Sequence, residues 1–88
     1  MGKQESLVNF KKAEGVIGKI IKMIEEDRYC VEIMQQNLAV IGLLKSAHQK
    51  IMEGHLNSCF LSGMETKNKN KKQELIKELL RVTRLCNK

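Results

Sequence analysis

The sequence predicts an all-α protein, a three-helix protomer with a long second helix. Three observations lead there. No proline interrupts the 88 residues. Leu, Ile, Met, Lys and Glu are abundant, whereas only Tyr29, Phe10 and Phe60 are aromatic, a balance that favours helix. Apolar residues recur at three-and-four spacing through three stretches parted by charged or polar breaks, the pattern of amphipathic helices. A chain this short forms a single domain, residues 1–88, and buries a modest fraction of its surface, so burial against a partner is expected.

The first helix is predicted from about Leu7 to Glu26, with Leu7, Phe10, Ala13, Val16, Ile17, Ile20, Ile21, Met23 and Ile24 at helical spacing. Ser6 stands where an N-cap belongs. Gly15 and Gly18 fall inside this helix, where each costs about 1 kcal/mol relative to alanine, which points to close approach of another backbone. The charged run Glu25-Glu26-Asp27-Arg28 ends it, and Asp27 is the expected cap of a second helix reaching about Leu61. That helix carries apolar residues on more than one side, Val31, Met34, Leu38, Ile41 and Leu44 among them. A single core face needs only a narrow stripe, so the excess implies packing on both helix one and another subunit. Gly63 is the expected stop, Thr66 to Lys72 a basic soluble connector, and Leu75, Ile76, Leu79, Leu80, Val82 and Leu85 mark a third helix.

Sixteen Lys and Arg against ten Asp and Glu leave a formal charge of +6, which favours an anionic partner, nucleic acid before a membrane surface. Three cysteines form an odd set, and no apolar run approaches the roughly 18 residues of a membrane span. The expected setting is cytoplasmic, with reduced thiols and no membrane partner. No Gly-rich phosphate loop and no nucleophile paired to a base stands out, so an enzyme is not expected.

The chemistry-bearing residues are Cys30, His55 and Cys59. On one helix at 100° per residue, His55 and Cys59 fall within roughly 20° on either side of the line through Cys30. Yet Cys30 and His55 would lie about 38 Å apart along that helix, so one chain cannot close them on one ion. Packed antiparallel, a second copy would bring Cys30 of one chain beside His55 and Cys59 of the other, twice by symmetry. Two thiolates and an imidazole suit monovalent copper in a three-coordinate site, whereas structural zinc wants a fourth ligand. Two buried cysteines and a satisfied core histidine would also produce this spacing.

Further residues carry a resemblance. Lys12-Ala13-Glu14-Gly15, the run from Met23 to Cys30 and His55-Leu56-x-x-Cys59 resemble the CsoR/RcnR family of metal-responsive repressors over nearly the whole chain. The resemblance is to its copper-sensing branch, whose Cys-His-Cys positions are matched by Cys30, His55 and Cys59. It implies an antiparallel four-helix-bundle homodimer that pairs into a disc-shaped homotetramer, a dimer of dimers. It also implies that Tyr29 and Glu74 support the copper(I) ligands, a carboxylate fixing the free nitrogen of the imidazole.

The same resemblance gives the chain a double-stranded operator DNA, with Lys12 and Lys45 at basic positions of the DNA face and Lys11 and Lys19 beside them. Such a face binds mainly through phosphates and groove shape. Asn9, Val16 and Gly18-Lys19 depart from the family pattern and bear on which operator is bound. The expected function is a copper(I)-responsive repressor, released from DNA by the metal so that copper-resistance genes are expressed. A repressor answering to thiol oxidation or persulfidation through Cys30 and Cys59 is one rival. A copper-buffering protein with no DNA function is another.

Overall fold

The computed structural model describes residues 2–65 and 67–86, with the backbone alone for Cys59 and Cys86. In chain order the elements are α1 (Lys3–Glu25), α2 (Cys30–His55), a π-helical turn (Leu56–Phe60), α3 (Leu61–Met64) and α4 (Lys69–Cys86). The described residues are helical throughout, joined by short turns. They divide into two compact units, one ending at Gly54 and one beginning at His55.

The first unit is built on α1 and α2. The helix α1 starts earlier than its apolar pattern does, because Glu5 reaches back to accept the N–H of Gly2, as the glutamate of a capping box does. Ser6 is therefore not the cap. It lies inside α1, buried, with its Oγ donating to the Lys3 carbonyl at 2.7 Å. Lys3, Gln4 and Glu5 carry no apolar residue, so periodicity could not register this first turn. Gly2 itself has φ 71°, and a Cβ there would come within 2.6 Å of the Lys50 carbonyl oxygen and 2.9 Å of Gly54 Cα. Only glycine allows the start of α1 to sit against the far end of α2.

The inward stripe of α1 is buried at Ser6, Asn9, Ala13 and Met23 and half-buried at Val16 and Ile20; that of α2 is buried at Val40, Ala47 and Gly54 and half-buried at Ile33, Gln36 and Leu43. Small residues on both stripes let the axes close, and Ala47 is completely covered. Asn9, 8% exposed, fastens the pair: its Nδ2 donates to the Leu43 carbonyl at 3.3 Å and its Oδ1 accepts from Lys50 Nζ at 3.0 Å.

Asp27 does not cap α2. It has φ 53°, in the left-handed region, and its N–H donates to the Ile24 carbonyl while that of Arg28 donates to Met23. These two bonds are the Schellman ending of α1. The carbonyl of Tyr29 accepts from the N–H groups of Glu32 and Ile33, so α2 opens at Cys30.

In the second unit the predicted single helix to Leu61 is interrupted by the π turn, and one further α turn carries it to Met64. Gly63 does not stop the helix but lies within α3, where an added Cβ would overlap Leu75 Cδ1 of α4. The basic connector is shorter than expected. Asn68 Oδ1 accepts the N–H of Asn70 at 3.0 Å and of Lys71 at 3.3 Å, capping α4, so Lys69, Lys71 and Lys72 belong to its first turn. Thr66 lies outside the described residues.

Candidate metal centre and nucleic-acid face

Cys30 is the first residue of α2 and His55 its last. Twenty-five rises of about 1.5 Å separate them, about 38 Å, so the two do not meet within one chain. Cys30 is exposed and free of any disulfide. On an ideal helix Cys30 and His55 share an azimuth with the side that presents Met34, Leu38 and Ile41, all exposed. Both ligand types therefore edge an open apolar face. Among the described residues no three of His, Cys, Asp and Glu come together in one chain.

Cys59 stands in the π turn, and its thiol lies outside the described residues. The uniform 100° per residue behind the roughly 20° expectation is the α-helical step, whereas Leu56–Phe60 follow the wider i→i+5 turn. The same turn has a consequence for His55. Residue i+5 comes round to residue i in a π turn, and the rings of His55 and Phe60 meet at 6.3 Å between centroids, tilted 54°. Phe60 thereby packs against the imidazole, a neighbour that α-helical spacing does not predict.

Tyr29 is 70% exposed, its carbonyl engaged at the start of α2. Glu74 is exposed in the second turn of α4, not in its first, because α4 begins at Lys69. Among the described residues no hydrogen bond joins Glu74 to His55.

Lys11, Lys12 and Lys19 are exposed on α1, Lys11 opposite its buried stripe and Lys12 and Lys19 flanking it on an ideal helix. Gly15 and Gly18 lie between them, and nothing of this chain comes within 4 Å of a Cβ added at either. The close approach these glycines allow is thus not made within the chain. Lys45 is exposed too, but on α2 it shares the azimuth of Leu38 and Ile41.

These features define an all-helical protein with soft-metal ligand types on its longest helix and a cationic face on the helix before it. The family model for metal-sensitive transcriptional repressors matches residues 2–84, and the chain belongs to that family. It is a family of repressors, not of enzymes. The chain is 40% identical over 58 residues to the copper-sensing transcriptional repressor CsoR of Mycobacterium ulcerans, covering 66% of this chain and 50% of the relative. It is 33% identical over 72 residues to that of Bacillus subtilis, covering 82% of this chain and 68% of the relative. The chain thus spans about half the length of the mycobacterial relatives it matches. Its fold is similar to the crystal structure of the copper-sensing repressor CsoR with Cu(I) from Geobacillus thermodenitrificans, with a TM-score of 0.84 and 25% identity, over 97% of this chain and 85% of that one. No helix among the described residues is long and apolar enough to cross a membrane.

Proposed function

We propose that this chain is a cytoplasmic copper(I)-responsive repressor, which holds double-stranded operator DNA when metal-free and releases it when copper(I) binds. The carrying observation is that Cys30 and His55 stand at opposite ends of α2 on the side that carries its open apolar row. An antiparallel second copy on that face sets Cys30 of one protomer beside the 55–59 segment of its partner, and two such dimers pair into a tetramer. The donor set fits the metal: two thiolates and one imidazole are soft ligands in the number that monovalent copper takes. Cys30 of one protomer and His55 and Cys59 of its partner would hold the ion, which would supply a link between the two protomers.

The chain's own groups do the rest. Phe60 packs on the His55 ring and limits its rotation, Glu74 accepts from the free imidazole nitrogen, and Tyr29 supports Cys30. Lys11, Lys12 and Lys19 meet phosphates; Lys45, on the face the second copy covers, reaches them by extending its long stem past the rim of that interface, and Gly15 and Gly18 let the DNA backbone approach α1 closely. Drawing the start of one protomer's α2 toward the end of its partner's changes the spacing of these lysines between protomers. By linkage, DNA weakens metal binding by the factor by which metal weakens DNA binding. The relatives named as copper-sensing repressors favour this reading over thiol crosslinking or metal buffering.

The test is anaerobic titration of the reduced protein with copper(I), following metal–thiolate absorption and release of duplex DNA together. One copper per chain, in a site of two sulfurs and one nitrogen, is the expected result. Cys30→Ala and His55→Ala should still bind DNA but stay bound when copper is added. Normal release of His55→Ala would defeat the mechanism.

A further inference from the structure

The charge of this chain is unevenly divided. Up to Gly54, eight Lys and Arg face seven Asp and Glu; from His55 on, eight face three, so a formal +5 of the total +6 belongs to the second unit. The face of α1 cannot by itself be the main source of the protein's positive field.

Within the second unit the cations are grouped. Lys67, Lys69, Lys71 and Lys72 fall within six residues around the start of α4. Along α4, Lys69, Gln73, Lys77 and Arg81 follow at four-residue steps with Arg84 beside them, forming one exposed ridge about 22 Å long from Lys69 to Arg84. The ion pairs of the described residues are those of Arg28 with Glu26 and Glu32, so none of these seven cations is neutralised by a carboxylate there. The arrangement costs the free protein stability. The first turn of α4 holds three lysines and no acid, the wrong sign for the helix dipole, and Lys77 repels Arg81 one turn on. From Lys67 to Glu74 there is no apolar side chain. A membrane surface is gripped by apolar anchors together with charge, whereas a nucleic-acid backbone asks for charge and polar donors alone.

We infer that the start of α4 and its basic ridge form a second surface for the phosphate backbone of duplex DNA, additional to the lysines of α1 and α2. It supplies most of the sequence-independent attraction and leaves choice of operator to the first unit. This rests on the DNA-binding role proposed above, and the experiment separates the two.

Affinity for a mixed-sequence duplex is measured against salt concentration for three proteins. These are the native chain, one carrying Lys67→Gln, Lys69→Gln, Lys71→Gln and Lys72→Gln, and one carrying Lys11→Gln and Lys12→Gln. Glutamine is a good helix former, and removing like charge from a helix start favours folding, so helicity by circular dichroism should be kept. Each lost phosphate contact should lower the slope of log affinity against log salt by about 0.9. The four-lysine variant is expected to lose at least two such steps per chain while binding copper(I) as before. An unchanged slope in that variant, with a reduced slope in the Lys11/Lys12 variant, overturns this inference and spares the proposed function. Failure of the native chain to bind duplex overturns both. Loss of binding to vesicles of phosphatidylglycerol and phosphatidylcholine, with the DNA slope intact, overturns it in favour of a lipid surface.

Discussion

Asp27 holds a backbone conformation that ordinarily falls to glycine, with φ 53° at the end of α1. The sequence suggests a different role for it, since an aspartate before a helical run reads as an N-cap. What decides is the pair of carbonyls that α1 leaves open, at Met23 and Ile24, which are satisfied only if the chain turns left-handed at Asp27. A non-glycine residue there costs about 1–2 kcal/mol, moderated for aspartate by its short polar side chain. Asp27→Gly removes that strain but adds unfolded-state entropy of roughly 0.5–1 kcal/mol. The expected net effect is a gain of up to about 1 kcal/mol in urea unfolding, with an unchanged denaturant slope. A loss would mean that the aspartate side chain itself stabilises the turn. Asn9 carries a related lesson. As a departure from the family pattern it raised the question of operator choice. In the structure it is buried and bonded to Leu43 and Lys50, a role in joining α1 to α2 that no local pattern announces.

At the scale of elements, the three helical stretches and their apolar stripes were legible because three-and-four periodicity reports directly on which side is buried. Their ends were less so. The first turn of α1 and that of α4 are held by Glu5 and Asn68, polar caps without apolar periodicity. The π turn was invisible, since one extra residue per turn leaves composition unchanged, yet it determines that Phe60 meets His55. The meeting of α3 and α4 at Gly63 and Leu75 was also beyond a local reading, which treated Gly63 as a stop. An alanine at Gly63 would overlap Leu75 Cδ1, the end of a flexible side chain that must then move. Overpacking of this kind costs about 1–3 kcal/mol. Gly63→Ala should destabilise the protein by that order, and adding Leu75→Ala should recover part of the loss, giving a coupling above about 0.5 kcal/mol in the double-mutant cycle. Purely additive effects would show that the two residues do not meet in solution.

For the whole molecule, the deciding fact is how little apolar surface one chain covers. Ala13, Met23, Val40 and Ala47 are the buried apolar side chains among the described residues, while Phe10, Ile17, Ile21 and Ile24 of α1 and Met34, Leu38 and Ile41 of α2 stay exposed. On ideal helices each set forms one side, bordering the stripe that joins α1 to α2 on α1 and turned away from it on α2, and on α1 separate from the lysines. Fully burying one such side chain is worth about 1.5–3 kcal/mol, so covering these rows adds several such contributions to a chain whose other apolar side chains are half-buried or exposed. This is why the stability of the chain should depend on a second copy. The thermal midpoint is then expected to rise with protein concentration, because association favours the folded form by mass action. Leu38, 66% exposed in the single chain, makes the decisive variant. Were the protomer the final form, Leu38→Lys would fall within the roughly ±0.5 kcal/mol of ordinary surface changes. Beneath a second copy, the ammonium must be buried without a partner or the interface given up. Sedimentation equilibrium should therefore find the native chain associated and Leu38→Lys shifted toward monomer, with a midpoint lower by many degrees. A native chain that sediments as a monomer, with a midpoint independent of concentration, would remove the shared site that joins Cys30 of one protomer to His55 and Cys59 of its partner.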